Sequence, residues 1–237
     1  MADTVHPGPW LVARFAPASL FSLKASFATS SVGTTLVVPT PYALKMALVD
    51  AAFRAGESDD DCAALLRALI PVPVRIAPPD AVVTHTFTKI RQEPKKKTEL
   101  EPYGSNIAYR EMAFHRDDWH WAFGLEQDGP LAEKVAFLLP HIRYVGKRGG
   151  FVQYRHAEWQ AALNSEFTQV VGPNIPLLIP PRCHIVPLDD FGPEASLEVL
   201  SSFSEQKARR DRHRRFAETV VPLVRGRSGA GFTEYRK

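Results

Sequence analysis

Cysteine is scarce in this sequence of 237 residues, and the two that occur, Cys62 and Cys183, lie far apart in the chain. Neither belongs to a CxxC pair or to a Cys/His spacing of the kind that binds zinc. We therefore expect no disulfide framework and no structural zinc site. No other metal or cofactor is predicted.

Long apolar runs and a strong net charge are also missing. No stretch approaches the length that spans a bilayer, and the first ten residues lack the basic and apolar regions of a signal peptide. We therefore expect a cytoplasmic protein that does not contact a membrane. The formal charge is only +3, so any nucleic-acid binding must depend on where the cations cluster. An apolar fraction of 45% is enough to build a core.

The motifs of several enzyme classes are absent. Neither GxxxxGK[ST] nor a strand-linked GxGxxG occurs, which argues against a phosphate-loop enzyme, and there is no nucleophile elbow and no HExxH. Paired carboxylates occur at Asp117–Asp118 and Asp189–Asp190. Adjacent residues in a strand point to opposite faces, so we do not expect either pair to be catalytic. His115 and His120 flank the first pair without a spacing that would align them as metal ligands.

The clearest local signal runs from Val37 to Gly56, where a strand end leads into a helix. Thr40 suits the N-cap, Pro41 suits the first helical position, and Gly56 suits the exit. Small apolar residues recur at helical spacing: Leu44, Ala47, Leu48, Ala51, Ala52 and Ala55. We expect this thin helix to pack flat on strands, with Lys45 among its polar positions.

The remaining pattern predicts an α+β protein in which helices cover one face of an antiparallel sheet. The predicted strands are Trp10–Phe15, Thr35–Val38, Ala81–Arg91, Ile107–Phe114 and Asp118–Leu125. Further helices are predicted from Ser58 and from Asp128, and a charged helix over Glu194–Val221. We expect one domain over residues 1–237, with a mobile loop at 92–105 and a basic C-terminal extension at 194–237.

A basic, glycine-rich turn is the best candidate for nucleic-acid binding. Two cations stand on a turn whose glycines let the backbone approach a phosphate, and two aromatic residues flank it for base stacking. An ordinary β-turn with solvated basic residues is the alternative interpretation. The candidate residues are Tyr144, Lys147, Arg148, Gly149, Gly150 and Phe151.

Part of the same segment suggests a second hypothesis. His141, Tyr144 and Lys147 are residue types that can cleave RNA without a metal, by deprotonating a 2′-hydroxyl and stabilising the departing oxygen. Their proximity in sequence does not establish that geometry. The hypotheses are thus an RNA-binding module, a metal-independent endoribonuclease, and an unrelated α+β protein with a chance basic turn.

Several stretches, in the same order, resemble one known family. VPTPYALKMALVDAAFRAG resembles the proline-rich strand and first helix of the CRISPR-associated RAMP subunit that caps the 5′ end of the guide RNA in type I Cascade, the five-type Cas protein. TFTKI and IAYREMAF are similar to its central strands, and IRYVGKRGGFVQ is similar to the segment after its second helix. GRSGAGF is similar to the glycine-rich C-terminal loop of RAMP proteins. The lysine-rich middle loop and the arginine-rich C-terminal segment depart from the family pattern.

The resemblance implies a ferredoxin-like, RRM-related core with a β-rich extension that grips the 5′ handle of the crRNA. It also implies contacts with the Cascade backbone subunit and large subunit, and with target DNA through the complex. We favour a non-catalytic role, because His141, Tyr144 and Lys147 do not clearly match the subtype that cleaves precursor crRNA. Lys24 and Lys45 then join the turn as predicted RNA-binding residues, with Lys24 on a loop that reaches towards the backbone subunit.

Overall fold

The computed structural model describes residues 8–25, 32–92, 104–147, 149–172, 182–201, 206 and 208–237. Twelve strands and four α-helices lie within these ranges. The helices are α1 (Pro41–Arg54), α2 (Asp59–Leu69), α3 (Pro130–Leu138) and α4 (Leu197–Leu200). The strands are β1 (Trp10–Pro17), β2 (Val32–Gly33), β3 (Val74–Ala77), β4 (Ala81–Gln92), β5 (Gly104–His115), β6 (Trp119–Gly124), β7 (Val152–Gln160), β8 (Gln169–Val170), β9 (His184–Phe191), β10 (Arg214–Val221), β11 (Val224–Gly229) and β12 (Phe232–Arg236).

The first helix begins and ends, and the second begins, where their capping residues predict. The Thr40 hydroxyl accepts a hydrogen bond from the Ala43 amide at 3.2 Å, and Gly56 leaves α1 with a φ of +87°. The Ser58 hydroxyl caps α2 in the same way, accepting from the Asp61 amide at 3.2 Å. These predictions are confirmed because each depends only on neighbours within one turn.

One antiparallel sheet has the strand order β3-β6-β1-β7. Along the chain, α1 and α2 lie between β1 and β3, and α3 lies between β6 and β7. The predicted α+β class with antiparallel sheets is therefore confirmed. In the described part of the chain, none of the helices is long and apolar enough to cross a bilayer.

The main core lies between one face of this sheet and the helices. Phe15 of β1 stacks on Trp121 of β6 with ring centroids 4.0 Å apart, and Leu44 and Leu48 of α1 belong to the same buried cluster. The alternation predicted for β6 is confirmed, since Trp119, Trp121, Phe123 and Leu125 belong to the main buried cluster and Ala122 belongs to a second one. The predicted strand at Thr35–Val38 is wrong. The strand β2 ends at Gly33, before this stretch, and Thr35 makes only an isolated bridge to Lys24.

A second sheet, of order β11-β12-β4-β5-β2, is built on a long hairpin. Its strands β4 and β5 stay in register from Ala81 opposite His115 to Gln92 opposite Gly104. The loop predicted at 92–105 begins later and ends earlier than expected, because Gln92 belongs to β4 and Gly104 and Ser105 belong to β5. The rest of that predicted loop lies outside the described residues.

The third sheet, of order β8-β10-β9, replaces the predicted charged helix over Glu194–Val221. That prediction is wrong: of the described residues in this range only those of α4 form an α-helix, and the arginine-rich stretch leads into β10. The end of this stretch is β-branched, at Thr219, Val220 and Val221, and all three residues are buried in strand pairing with β9. The local charge pattern suggested a solvated helix, but pairing with β9 makes this segment a strand.

Candidate nucleic-acid interface

The basic turn predicted from the sequence is a closed loop after α3 and its short 3-10 extension, Leu139–His141. Tyr144 and Phe151 form an isolated antiparallel bridge at its base. The Val145 amide donates to the Gly150 carbonyl at 3.0 Å, and the Gly150 amide donates to the Lys147 carbonyl at 2.8 Å. These bonds hold the backbone of the loop in one conformation.

The loop is also fastened to the segment that follows β1. The Ser19 hydroxyl donates to the Gly149 carbonyl at 2.5 Å and accepts from the Phe151 amide at 2.7 Å. The Ala18 amide donates to the Phe151 carbonyl at 2.9 Å. The turn is therefore preorganised by bonds to a neighbouring segment, which lowers the entropy cost of binding a ligand there.

The two glycines of the turn face different surroundings, and this gives a first testable prediction. A Cβ on Gly150 would lie 2.6 Å from the Val145 carbonyl oxygen, whereas a Cβ on Gly149 would meet nothing within 4 Å. We expect Gly150→Ala to lower the free energy of unfolding by about 1–3 kcal/mol, because backbone must move to make room. Gly149→Ala is the matched control and should unfold at the wild-type urea concentration. Equal midpoints for the two variants would contradict this assignment.

Three cations from separate parts of the chain come together beside this turn: Lys24, Arg110 and Lys147. Partial burial, and then the positive charges of Arg110 and Lys24, lower the pKa of Lys147. Lys24 and Lys147 have exposed side chains, and Arg110 is partly exposed. Within the described ranges, no carboxylate forms an ion pair with any of the three. We call this group the cation cluster.

Arg110 is the member of the cation cluster that sequence reasoning missed. It lies on β5, in a stretch predicted only as a strand, and its guanidinium donates to the Tyr109 carbonyl at 3.1 Å. Gly33 of β2 pairs with it, and a Cβ on Gly33 would lie 2.7 Å from the guanidinium nitrogen. The only sequence signal was an arginine on a strand otherwise rich in apolar residues.

The two aromatic residues that flank the turn differ in how they are presented. Phe151 is 52% exposed. Tyr144 is only partly exposed, its hydroxyl donates to Asp50 at 3.2 Å, and the Arg54 guanidinium lies over its ring at 5.0 Å from the centroid. One face of the Tyr144 ring is thus already occupied within the protein, and Phe151 is the better stacking surface.

Lys45, which was also predicted to bind RNA, is in the protein interior. Its side chain is 0% exposed, and its ammonium lies 2.7 Å from the Asp190 carboxylate and donates to the Ile70 carbonyl at 3.3 Å. A buried cation held by a carboxylate does not present its charge to a ligand. The prediction for Lys45 is therefore wrong. Helical spacing marked this position as polar but could not reveal that its partner is Asp190 of β9.

Arg148 lies outside the described residues. The proposed cleavage residues each contact a different neighbour: His141 bonds the Phe137 carbonyl at 3.0 Å, Tyr144 bonds Asp50, and Lys147 lies in the cation cluster. In the described residues, no hydrogen bond joins these three side chains to one another. Among the described residues, no group of three His, Cys, Asp or Glu side chains is placed to hold a metal ion.

Three of the five arginines from Arg209 to Arg215, at the start of β10 and just before it, are paired with carboxylates. Arg212 pairs with Glu194, and Arg215 pairs with Asp190 at 3.3 Å. Arg214 pairs with Asp189. The second basic surface expected from the sequence is therefore weaker than its arginine count indicates.

The chain is similar to several known proteins. A protein named "CRISPR-associated protein Cas5", from Archaeoglobus fulgidus, is 23% identical over 219 residues, which cover 88% of this chain and 91% of that protein. A solved CRISPR protein from the same organism has a TM-score of 0.49 at 10% identity and covers 97% of this chain and 92% of its own. A chain of a CRISPR RNA-guided surveillance complex has a TM-score of 0.45 at 15% identity, with coverages of 90% and 89%. No protein-family profile matches the sequence.

Proposed function

Since the chain is a relative of a CRISPR-associated Cas5 protein, as its motifs predicted, we propose that it is a subunit of a CRISPR effector complex. In this proposal it binds the 5′ handle of the crRNA in a type I surveillance complex. Lys24, Arg110 and Lys147 contact the phosphates, and Phe151 stacks on a base. Its partners are the crRNA, the backbone subunit and the large subunit, with target DNA reached through the complex.

The observation that carries the proposal is the convergence of three cations that form no ion pair with a carboxylate of the described residues. Partial burial, and then the positive charges of Arg110 and Lys24, lower the pKa of Lys147, and a bound anion would relieve the repulsion among the three cations. RNA phosphates are suited to it, because each neutralised phosphate releases a counterion and adds binding free energy. The exposed Phe151 ring beside the cations adds the stacking surface that single-stranded RNA uses.

The order of elements supports an RRM-related core. The chain runs β1, α1, β3, β6, α3 and β7 through the first sheet, and the spatial order is β3-β6-β1-β7 with antiparallel neighbours. That is the arrangement expected of a split βαβ, ferredoxin-like unit, with the β4–β5 hairpin inserted between its second and third strands. RRM sheets bind single-stranded RNA, which is consistent with a handle-binding role.

The test replaces Lys24, Arg110 and Lys147 by glutamine, singly and together, in protein co-expressed with a CRISPR array. We expect each single change to weaken handle binding about fivefold, and the triple change to abolish RNA retention at 0.2 M salt. The slope of log K against log salt should fall by about one for each phosphate contact removed. Anisotropy titrations with the recovered 5′ handle RNA measure both quantities.

Arg212→Gln is the matched control, since it removes a positive charge that Glu194 already neutralises. It should retain wild-type affinity and salt dependence. Wild-type affinity in the triple variant would overturn the proposed site. Absence of RNA from folded wild-type protein expressed with the array and partner subunits would overturn the function itself.

The same material tests the alternative of a processing enzyme. Purified protein incubated with repeat RNA in chelator should leave the RNA intact for hours, since Tyr144 is bonded to Asp50 and His141 to the Phe137 carbonyl, and neither is bonded to Lys147 in the described residues. Metal-independent cleavage that Tyr144→Phe abolishes would instead establish the endoribonuclease hypothesis.

A further inference from the structure

A cavity of about 380 Å³ opens on the outward face of the second sheet, where β4, β5 and β12 approach one another. It belongs to neither the basic turn nor the main core. The lining side chains that matter are Val82, Phe114, Arg116, Glu234 and Arg236. We call this cavity the sheet pocket.

The register of the strands explains why an aromatic ring lies in the sheet pocket. Val82 of β4 pairs with Phe114 of β5 on one side and with Glu234 of β12 on the other, so the three side chains form one row. Phe114 is 54% exposed, although Ala113 and His115 on either side of it are buried. The strand thus alternates into the core and out of it, and places a large ring where water reaches it.

The charged side chains around this ring differ in whether they have partners. Glu234 is paired by Arg227 and Arg236, and the Asp80 carboxylate accepts from the Lys237 amide at 2.9 Å. Arg116 is exposed, and in the described part of the chain its side chain makes no ion pair or hydrogen bond. The carboxylates of the sheet pocket are therefore occupied, and a guanidinium beside the ring is free for an anion.

The sheet pocket lies on the same face of β5 as one member of the cation cluster. Arg110, Met112 and Phe114 alternate on that face, with Ala113 on the buried one. At about 3.4 Å per residue, the Cα atoms of Arg110 and Phe114 are roughly 14 Å apart. A single strand of RNA bound at Arg110 and extended along β5 would reach Phe114.

We propose that the sheet pocket binds one nucleotide of the RNA that the cation cluster holds. The base stacks on Phe114, against the apolar wall of Val82, and the phosphate pairs with Arg116. This inference rests on the proposed function, because it continues the same RNA strand. A polypeptide partner would not need the combination of an exposed ring and an unpaired guanidinium.

The test is ultraviolet cross-linking of the ribonucleoprotein purified from cells that express the array. Trypsin cuts after Arg110 and Arg116, so Phe114 falls in the short peptide Glu111–Arg116. We expect a nucleotide adduct on that peptide, and its loss in Phe114→Leu, which keeps an apolar side chain but removes the ring. Handle affinity should fall about five- to tenfold in Phe114→Leu and again in Arg116→Gln.

The outcomes separate this inference from the proposed function. Three results together would overturn the sheet pocket alone. The Lys24, Arg110 and Lys147 variants would lose RNA, Phe114→Leu would bind the handle with wild-type affinity, and the wild-type protein would carry no nucleotide adduct on the Glu111–Arg116 peptide. Absence of RNA from the wild-type protein would overturn the proposed function first. A cross-link from Phe114 to a partner polypeptide would assign the pocket to a protein contact and would also overturn the inference.

Discussion

Replacing Asp190 by alanine should lower the free energy of unfolding by roughly 3–5 kcal/mol, because it leaves Lys45 buried without its counter-ion. The Lys45 side chain is 0% exposed, and its ammonium lies 2.7 Å from the Asp190 carboxylate. The pair joins α1 to β9, so its loss also weakens the contact between the helices and the third sheet. Urea unfolding followed by the fluorescence of the buried Trp119 and Trp121 measures the change.

Lys45→Met separates the loss of a partner from the loss of the pair. Methionine keeps an unbranched apolar stem in the cavity and leaves no buried cation, and Asp190 keeps its contact with Arg215 at 3.3 Å. We therefore expect Lys45→Met to cost much less than Asp190→Ala. Arg212→Gln, which breaks an exposed pair, should leave the midpoint unchanged. If Asp190→Ala unfolds at the wild-type midpoint, the pair does not carry the stability assigned to it.

The features of the fold that could be predicted from the sequence are those that neighbouring residues determine. The bounds of α1 follow from Thr40, Pro41 and Gly56, which act within a single turn of the chain. The strands β4 and β5 follow from runs of β-branched and alternating residues. Such signals are local, and they predicted most elements before β8 within a few residues.

The errors arise where a partner distant in sequence decides the outcome. Lys45 is buried because it pairs with Asp190. That partner lies 145 positions further along the chain, and no residue near Lys45 in the sequence indicates it. The arginine-rich segment becomes a strand because Asp189 and Asp190 of β9 receive Arg214 and Arg215. Charge periodicity alone favours a solvated helix for such a segment.

The candidate interface divides in the same way. Lys147 and the glycine turn were predicted from adjacent residues, whereas Arg110 joins them only because β2 and the segment around Phe21 pair with β5. A cation on a strand of apolar residues is a weak signal by itself. Once the topology brings it beside Lys24 and Lys147, it becomes part of a site.

Acidification should destabilise the protein through His115, by roughly 3 kcal/mol between pH 6.5 and pH 4. Burial lowers the pKa of this imidazole to about 4, and only its bond to the Val37 carbonyl opposes that shift. The ring packs between Phe21 and Trp119. Between the two pKa values the unfolded chain binds a proton that the folded chain excludes, so stability falls by about 1.4 kcal/mol per pH unit. Below pH 4 both states are protonated at this site, and the loss stops.

His115→Gln isolates this contribution, because glutamine can still donate to the Val37 carbonyl but does not titrate. Other groups with shifted pKa values, such as Glu234 and His120, are the same in both proteins and cancel in the difference. We expect the wild-type protein to be more stable at pH 7.5, and its advantage to shrink steadily from pH 6.5 to pH 4. An advantage that stays constant over this range would mean that His115 titrates alike in the folded and unfolded chains. Water would then have to reach its Nδ1, which has no hydrogen-bond partner among the described residues, and the contact between Val37 and the ring would be looser than the 2.7 Å bond indicates.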